Sequence, residues 1–381
     1  MNGIFIIGGE ESGDMHGASL IGELKKLIPG LTVRGMGGGK MREAGLDGID
    51  SKEVSVVGIA EVAEKLPKLY GVFNKLKRGL AQWRPDAVVL IDFPDFNLQF
   101  AKEAKRLGIP VVYYISPQVW AWRKGRIKTI ARLVNKMLVV FPFEEKIYRD
   151  AGVDVEYVGH PLVDAAACDS SVAAARRDMG APEGVSVISL LPGSRTAEVR
   201  RLFPEMLKAA ALIEKDMDGK TVFLTPSARG INDELLDGFI KKSGVAVRIV
   251  RGKFYETLRA SNAAIVASGT ATLETALIGT PMVIVYKISR LSYAIGQMLV
   301  NPELKYIGLP NIVAGRPVVP EFVQKDIDPV NIAGAIIGII KNAAIRDKMT
   351  KGYVEIKERL GKGGAASRAA AAIKNLIEAK T

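Results

Sequence analysis

Short apolar runs alternate along the chain with longer segments in which apolar residues recur every three or four positions. This pattern predicts buried strands separated by helices. The first half contains the runs GIFIIGG, DAVVLIDFP and KMLVVFP, and the second half contains SVISLLPGSR, NAAIVASGT and PMVIVYK. Strands that are apolar throughout indicate parallel sheets with helices on both faces. The sequence therefore predicts an α/β fold built from doubly wound parallel sheets.

A polar, alanine-rich passage interrupts this alternation between the two halves. It reads AAACDSSVAAARRDMGAPEG, begins at Ala165 and contains no strand-like run. A chain of 381 residues is long enough for two domains. We therefore expect one Rossmann-like sheet before the passage and a second after it. The stretch from about residue 345 onward has a helical pattern.

The chain carries a net charge of +12 and one cysteine, Cys168. A basic protein is suited to nucleic acid, an anionic membrane surface or a phosphorylated ligand. Nucleic acid is disfavoured, because there is no zinc-finger spacing, aromatic RNA-binding motif or long Lys/Arg block. The single cysteine fits a reducing compartment. No apolar run approaches the roughly 18–20 residues of a membrane span, and a strand begins almost at once, so we expect a soluble or peripheral protein without a signal peptide.

Three loops in the second half follow predicted strands and carry donors for an anion. Ligands of doubly wound sheets bind beyond the carboxyl ends of the strands, where helix N-termini offer unpaired N–H groups. The candidate diphosphate contacts are Gly193, Ser194, Arg195, Arg251, Ser268, Gly269, Thr270, Ala271 and Thr272. A Ser/Thr cap on an ordinary helix is the alternative for the turn at Ser268. The same chemistry in three loops favours a diphosphate site.

Glu274 lies four residues past Thr270, about one turn inside the predicted helix. A carboxylate there is poorly placed for phosphate and well placed to accept hydrogen bonds from ribose hydroxyls. An exposed helix glutamate is the alternative. The chain has no GxxxxGK[ST] loop, which disfavours phosphoryl transfer from a P-loop. The second half therefore predicts a site for a nucleotide that carries a diphosphate.

The first half carries acidic loops after its strands. The candidate acceptor contacts in GGEESGDMHG are Glu11, Ser12 and Asp14. The acidic side chains of this loop, Glu10, Glu11 and Asp14, would repel a pyrophosphate and, with His16, suit sugar hydroxyls or proton handling. A general base must lie beside the attacking hydroxyl, and Asp95 of LIDFPDFN is the first candidate. Asp92 and His16 are the alternatives, and Asp92 also fits a structural role in its loop.

The segment VVGIAEVAEKLPKLYGVFNKLKRGL has an amphipathic helical pattern. Its apolar positions are Ile59, Val62, Leu66, Leu69, Val72, Phe73, Leu76 and Leu80. A core-facing helix with a solvated face is the ordinary interpretation. The lysines and arginines between the apolar positions favour a membrane surface instead.

A second aromatic segment, YYISPQVWAWRKGR, contains Trp120 and Trp122 followed by Arg123, Lys124 and Arg126. Aromatic packing within a loop is one interpretation of this pattern. The other is a wall of the acceptor site whose cations bind a phosphate.

Seven motifs, in order and over nearly the whole chain, resemble those of lipid-A-disaccharide synthase, a bacterial glycosyltransferase that joins two acylated glucosamines. They are GEESGDMHG, DFPDFN, YYISPQVWAWR, VGHPLVD, LLPGSRTAEV, ASGTATLETAL and PNIVAGRPVVPEFVQ. The resemblance implies a GT-B fold, in which two Rossmann-like domains face each other across a cleft. The first domain would comprise residues 1–163 with returning C-terminal helices at 345–381. Residues 164–344 would form the UDP-sugar-binding domain.

The resemblance also implies the reaction. The donor would be UDP-2,3-diacylglucosamine and the acceptor 2,3-diacylglucosamine 1-phosphate (lipid X), giving a β-1,6-linked tetraacyl disaccharide 1-phosphate and UDP with inversion. Asp95 would take the proton of the acceptor's 6-hydroxyl. Arg195 and the helix N-terminus at residues 268–272 would stabilise the departing UDP. The residues of PNIVAGRPVVPEFVQ that would help to hold the nucleotide are Asn311, Glu321 and Gln324.

The family also implies a cytoplasmic enzyme, peripheral on the inner face of the inner membrane, with residues 57–80 meeting acyl chains or the bilayer. No cofactor and no catalytic metal are expected, because no DxD pair stands in the donor domain. The sequence leaves the oligomeric state open, and a homodimer is one arrangement. One alternative is another UDP-GlcNAc-using GT-B enzyme, an epimerase or the peptidoglycan transferase, against which the acidic GEESGDMHG loop argues. Another is a noncatalytic module that binds nucleotide sugar or lipid.

Overall fold

A computed structural model describes residues 3–53, 59–121, 125–166, 168–228, 230–288 and 304–379, with the backbone alone at residues 11 and 59–66. The chain divides into two compact units. The first unit comprises Met1–Pro161 with Leu360–Thr381, and the second comprises Leu162–Arg359.

Seven parallel strands form the sheet of the first unit, in the order β3-β2-β1-β4-β5-β6-β7. The strands are β1 (Gly3–Gly8), β2 (Thr32–Gly37), β3 (Leu46–Asp50), β4 (Ala87–Ile91), β5 (Val111–Tyr114), β6 (Lys136–Val139) and β7 (Val155–Tyr157). The helices between them are α1 (Glu11–Leu27), α2 (Gly39–Glu43), α3 (Ile59–Trp83), α4 (Pro94–Arg106), α5 (Arg126–Leu133) and α6 (Pro142–Asp150). A short 3₁₀ turn spans Ser51–Glu53.

Six parallel strands form the sheet of the second unit, in the order β10-β9-β8-β11-β12-β13. The strands are β8 (Ser186–Leu191), β9 (Thr221–Ser227), β10 (Val247–Arg251), β11 (Ala263–Ala267), β12 (Met282–Tyr286) and β13 (Glu321–Val323). The helices are α7 (Leu162–Ala165), α8 (Val172–Asp178), α9 (Thr196–Asp216), α10 (Asp233–Ser243), α11 (Phe254–Ala260), α12 (Thr270–Ile278), α13 (Leu309–Ala314), α14 (Pro329–Lys341) and α15 (Ala343–Arg359). A 3₁₀ turn at Gln324–Asp326 follows β13. Both sheets are doubly wound and Rossmann-like, as predicted.

The C-terminal segment returns to the first unit later than the sequence pattern indicated. Its helix α16 (Ala365–Glu378) packs against α1, and the Arg368 side chain donates from Nε to the Val158 carbonyl at 2.8 Å. The expected return at residue 345 is wrong, because α15 packs against α12, α13 and α14 of the second unit. The unit boundary therefore lies at residue 360, where the chain leaves α15.

Helix α3 packs its apolar stripe into the core of the first unit. Val72 and Leu76 are each 3% exposed and Leu80 is fully buried. The Phe73 ring meets Phe96 edge-on at a centroid distance of 5.4 Å, and Leu69 packs partly buried against the same core. For Leu69, Val72, Phe73 and Leu76 the predicted membrane contact is therefore wrong, since the sheet already covers these side chains. The side chains of Ile59, Val62 and Leu66 lie outside the described part of the chain.

Among the described residues, no helix is long and apolar enough to cross a bilayer.

Candidate active site

Each sheet has one point at which the strand order reverses. In the first unit it lies between β1 and β4, whose carboxyl ends pair Gly8 with Ile91. In the second unit it lies between β8 and β11, where Leu191 pairs with Val266. The chain leaves the two strands toward opposite faces there, which opens a crevice beyond their carboxyl ends. Four of the loops that the sequence analysis selected follow these four strands.

Two helix N-termini converge on the switch point of the second unit. Gly269 precedes α12 with φ 155° and ψ −165°, a backbone conformation that is essentially restricted to glycine. Gly269 and Thr270 are exposed, so the start of α12 is open to solvent. The buried Thr272 hydroxyl donates to the Gly269 carbonyl at 2.7 Å and so fixes the turn. Unpaired N–H groups at such a turn suit an anion.

Arg195 stands at the N-terminus of α9, across the switch point from Ser268. Its side chain is 62% exposed and pairs with Glu198 at 3.0 Å. Gly193 has φ 110°, and a Cβ there would lie 2.5 Å from Glu198 Oε2, so glycine makes room for this pair. Burial raises the pKa of Tyr286 at the end of β12, Glu198 raises it further and Arg195 opposes the shift. The guanidinium therefore stands on the loop after β8 with most of its side chain open to solvent, where an anion can meet it.

Glu274 lies one turn inside α12 and is not an exposed helix glutamate. The Tyr255 hydroxyl, from α11, donates to Glu274 Oε1 at 2.8 Å. Burial raises the pKa of Glu274, and the hydrogen bond from Tyr255 partly opposes this. Tyr255 was not among the predicted site residues, because nothing in its local sequence links it to a residue 19 positions away.

Arg251 does not join this group. It ends β10, the edge strand of the sheet, which is separated from β8 by β9. Its guanidinium pairs with Asp233 at the start of α10. Strands are about 4.8 Å apart, so Arg251 stands roughly 10 Å from the switch-point strand. The prediction that it shares the diphosphate site is not supported by this geometry.

Asn311 and Glu321 form a buried network beneath the loop that precedes α13. The Asn311 amide donates to the Val319 carbonyl and to Glu321 Oε1, both at 2.8 Å, and accepts from the N–H groups of Val318 and Val319. These four bonds exhaust its capacity. Asn311 therefore has a structural role here, and any help that it gives in holding the nucleotide is through the loop.

Glu321 accepts from the N–H of Ile307 at 2.9 Å and from that of Gly308 at 2.9 Å. The Ile307 carbonyl in turn accepts from the Ser268 hydroxyl at 3.2 Å. Glu321 thus ties the loop to the turn at the switch point. Gln324 begins the 3₁₀ turn after β13, and its amide faces the backbone N–H and carbonyl of Ile288 at 3.1 and 3.3 Å.

In the first unit, Asp14 is committed to structure. Its two carboxylate oxygens accept from the N–H groups of Lys40 at 3.1 Å and Met41 at 2.9 Å, which caps the short helix α2. The side chain is buried. Ser12 lies half-buried in the first turn of α1, and the Glu11 side chain lies outside the described residues. Asp14 therefore shapes the acidic loop, and its predicted contact with an acceptor is not supported by its geometry.

Asp92 and Asp95 follow β4, on the other side of the same switch point. Asp92 and Phe93 both adopt left-handed backbone conformations, with φ of 45° and 47°. Asp95 lies in the first turn of α4, is 78% exposed and pairs with Arg126 at the start of α5. Of the two candidate carboxylates, Asp95 is thus the more exposed, and Asp92 is half-buried.

His16 lies at the same edge but is 7% exposed. Burial, with a smaller contribution from the Lys40 charge, lowers its pKa to about 4. His160 follows β7 and is equally buried, and burial together with His16 lowers its pKa to about 3. Both imidazoles are therefore neutral at pH 7. His160 was missed as a neighbour of His16, because 144 positions separate the two in sequence.

The Trp120 side chain is buried within the first unit and does not form the wall of an open acceptor site. Its indole Nε1 donates to Glu144 Oε1 at 3.0 Å, and its ring meets Phe143 edge-on at 5.3 Å. The Ser116 hydroxyl donates to the same carboxylate oxygen at 2.6 Å. Burial raises the pKa of Glu144 to about 7, against the effect of these hydrogen bonds. Residues 122–124, which include Trp122, lie outside the described part of the chain.

Solved structures share the fold. The chain superposes on UDP-GlcNAc 2-epimerase from Neisseria meningitidis bound to UDP-GlcNAc with a TM-score of 0.67 and 13% identity, covering 98% of this chain and 100% of that one. It superposes on MurG from Acinetobacter baumannii with a TM-score of 0.58 and 14% identity, covering 98% and 100%. The two doubly wound sheets and these superpositions thus define the fold as GT-B, which glycosyltransferases and epimerases share.

The sequence comparisons identify the family within this class. Residues 4–374 match the family model described as Lipid-A-disaccharide synthetase. The chain is 47% identical to the lipid-A-disaccharide synthase of Syntrophus aciditrophicus, over 98% of each protein. It is 41% identical to that of Myxococcus xanthus, over 98% of this chain and 97% of the relative. The chain belongs to the lipid-A-disaccharide synthase family and is a glycosyltransferase, which separates it from the epimerases that share its fold.

The buried histidine gives a pH-dependent stability. Between pH 4 and 6.5 the unfolded chain binds a proton at His16 that the folded protein excludes. The contribution of His16 to the free energy of unfolding should therefore fall as pH drops through this window, by at most about 1.4 kcal/mol per pH unit. Urea unfolding of the parent and His16→Gln proteins from pH 4 to 8 measures this difference, which we expect to be flat above pH 7.

Glu144→Gln is the matched comparison, because the Glu144 pKa is shifted in the opposite direction. The folded protein retains a proton there between pH 4.5 and 7 that the unfolded chain has lost. The parent should therefore lose stability relative to Glu144→Gln as pH rises through that window. A pH-independent difference for both variants would show that neither group is buried as described.

Proposed function

We propose that the chain transfers the sugar of UDP-2,3-diacylglucosamine to the 6-hydroxyl of 2,3-diacylglucosamine 1-phosphate. The products are a β-1,6-linked tetraacyl disaccharide 1-phosphate and UDP. Membership of the lipid-A-disaccharide synthase family carries this proposal. It is supported by the two switch points, one lined by helix N-termini and an arginine and the other by carboxylates.

The second unit would bind the donor. The diphosphate would lie between the N-terminus of α12, at Gly269 and Thr270, and the exposed guanidinium of Arg195. Glu274, held by Tyr255, would accept hydrogen bonds from the ribose hydroxyls through its remaining lone pairs. Glu321 and Asn311 would act indirectly, by holding the loop that contacts Ser268. A UDP-GlcNAc complex of a protein with this fold supports a nucleotide sugar as the ligand.

The first unit would bind the acceptor and supply the base. As the acceptor's 6-hydroxyl oxygen attacks the anomeric carbon, Asp95 would take the hydroxyl proton. The new C–O bond forms on the face opposite the bond to the UDP phosphate oxygen, and that bond breaks with its electron pair leaving on UDP. Positive charge and N–H groups around the diphosphate would stabilise the departing group without a metal.

The outward face of α3 would meet the inner face of the inner membrane. Lys68, Lys75 and Arg78 are exposed on this helix, and Tyr70 is 69% exposed. Each cation near an anionic surface contributes about 1 kcal/mol of attraction. The basic net charge of the chain acts in the same direction. Acyl chains of both substrates would then reach the enzyme without leaving the bilayer surface.

A homodimer stays a prediction.

Release of UDP with and without the acceptor tests the reaction. We expect UDP release from UDP-2,3-diacylglucosamine only when 2,3-diacylglucosamine 1-phosphate is present, with a disaccharide as the coupled product detected by mass spectrometry. Acceptor-independent turnover of a UDP-sugar would point to epimerase chemistry. Binding of both compounds without product would point to a noncatalytic module.

Asp95→Asn should lower kcat by about 10²–10⁴-fold, since an amide cannot accept the proton. The KM of the donor should change little, because the donor would bind to the other unit. Asp150→Asn is the matched control, an exposed aspartate of the first unit that pairs with Lys146 on the surface. Steady-state rates of the three proteins measure this, and an Asp95→Asn enzyme with near-parental kcat would refute the assignment.

Gly269→Ala should weaken UDP binding by at least about tenfold, because alanine disfavours the φ of 155° at this position. The N–H groups of the turn would then no longer point toward the diphosphate. Calorimetric titration with UDP measures the Kd. Gly244→Ala is the control: Gly244 has φ 72° at the end of α10, so the variant loses stability for the same reason. Equal Kd values for the two variants would argue against this anion site.

Vesicle sedimentation tests the membrane surface. A Lys68→Glu, Lys75→Glu, Arg78→Glu variant should lose binding to vesicles that contain anionic phospholipid, because its charges are repelled. A Lys146→Glu, Arg149→Glu variant changes surface charge on α6 of the same unit and should bind like the parent protein. Full binding by the α3 variant would remove α3 as the contact surface.

A further inference from the structure

The turn that carries the proposed base is strained. Asp92 and Phe93 are consecutive non-glycine residues with φ of 45° and 47°, directly before Pro94 starts α4. Side chains with a Cβ disfavour this left-handed conformation, and it persists only where the surroundings hold it. Something in the first unit must therefore fix this turn, and through it Asp95.

Two buried donors converge on one carbonyl of the turn. The Tyr113 hydroxyl donates to the Asp92 carbonyl at 2.6 Å. The Asn97 amide donates to the same carbonyl at 2.7 Å and to the Ile91 carbonyl at 3.2 Å. Both side chains are fully buried. Tyr113 reaches the turn from β5, the strand that pairs with β4, so it ties the turn to the rigid sheet and not to the helix that follows.

The turn also sets the contact between the two loops of the switch point. The Phe93 ring stacks on Phe96 at a centroid distance of 5.3 Å. It also lies over Gly9 in the loop after β1, where a Cβ would come within 2.4 Å of the ring. A shift of the Asp92 carbonyl would therefore move Phe93 against Gly9 and tilt the first turn of α4, which bears Asp95.

We propose that Tyr113 is a positioning residue for glycosyl transfer: its buried hydroxyl holds the left-handed Asp92–Phe93 turn and thereby fixes Asp95 at the switch point. The inference rests on the proposed function, since it takes Asp95 as the base. Tyr113 acts through a backbone carbonyl, because its own side chain is fully buried and has no surface for a substrate.

Tyr113→Phe removes the hydroxyl and leaves the shape of the core unchanged. We expect kcat to fall about 5–20-fold, because a small displacement of the base is costly in the transition state. The KM of the donor should stay within about twofold. Thr280→Val is the matched control: the buried Thr280 hydroxyl donates to the Leu258 carbonyl at 2.8 Å in the second unit, so one comparable hydrogen bond is lost away from the turn. Its kcat should stay within about twofold of the parent value.

A double-mutant cycle separates positioning of Asp95 from a general loss of structure. In an Asp95→Asn background, Tyr113→Phe should cause no further loss of kcat, because the base it positions is already absent. Asn97→Ala removes the other donor to the same carbonyl and should show the same pattern, which keeps the test available if one variant folds poorly.

Three results would overturn the inference. These are an unchanged kcat in Tyr113→Phe, a further loss of similar size in the Asp95→Asn background, and a loss shared equally by Thr280→Val. A fully active Asp95→Asn enzyme would instead overturn the base assignment itself, and the inference with it. The two failures are therefore distinguished by the single variant at position 95.

Discussion

Both sites depend on one constraint, which arises at the switch point of each sheet. There the chain leaves the carboxyl ends of two adjacent parallel strands toward opposite faces. Backbone N–H groups at these ends and at the following helices have no partner within the sheet. Away from the switch point, the first unit satisfies such groups with its own side chains, as Asp14 caps α2 and Glu144 caps α6. The second unit leaves the starts of α9 and α12 exposed. At the switch points themselves, the loops before α1 and α4 carry acidic residues, whereas those before α9 and α12 carry Arg195, serine and glycine.

The fold class could be predicted from sequence, and so could the position of four selected loops at the carboxyl ends of strands. Buried strands can be recognised as short apolar runs, and a loop that follows such a strand must lie at the ligand-binding edge of a parallel sheet. The order of the strands within a sheet cannot be predicted from this local pattern. Arg251 follows a strand just as Arg195 does, yet β10 forms the edge of its sheet whereas β8 borders the switch point. The helical pattern after residue 345 likewise does not indicate which unit α15 packs against.

Side-chain roles were harder to predict than positions. Val72 and Leu76 have the period of an amphipathic helix, which is the same whether the apolar face meets a sheet or a bilayer. Asn311 lies close to the loop that contacts Ser268, but its four hydrogen bonds depend on backbone groups whose directions only the folded loop defines. Tyr113, within the run VVYY, looks like an ordinary core residue, because a single hydroxyl in a buried strand leaves no periodic signal.

The first unit is assembled from two pieces of chain that are nearly two hundred residues apart, because the second unit is inserted between residues 161 and 360. During synthesis on the ribosome the second unit emerges whole and can fold, whereas α1 can pack against α16 only after residues 365–378 have been made. Until then α1 would present uncovered apolar surface to chaperones or to neighbouring nascent chains. The first unit is thus completed only after the second unit has been synthesised.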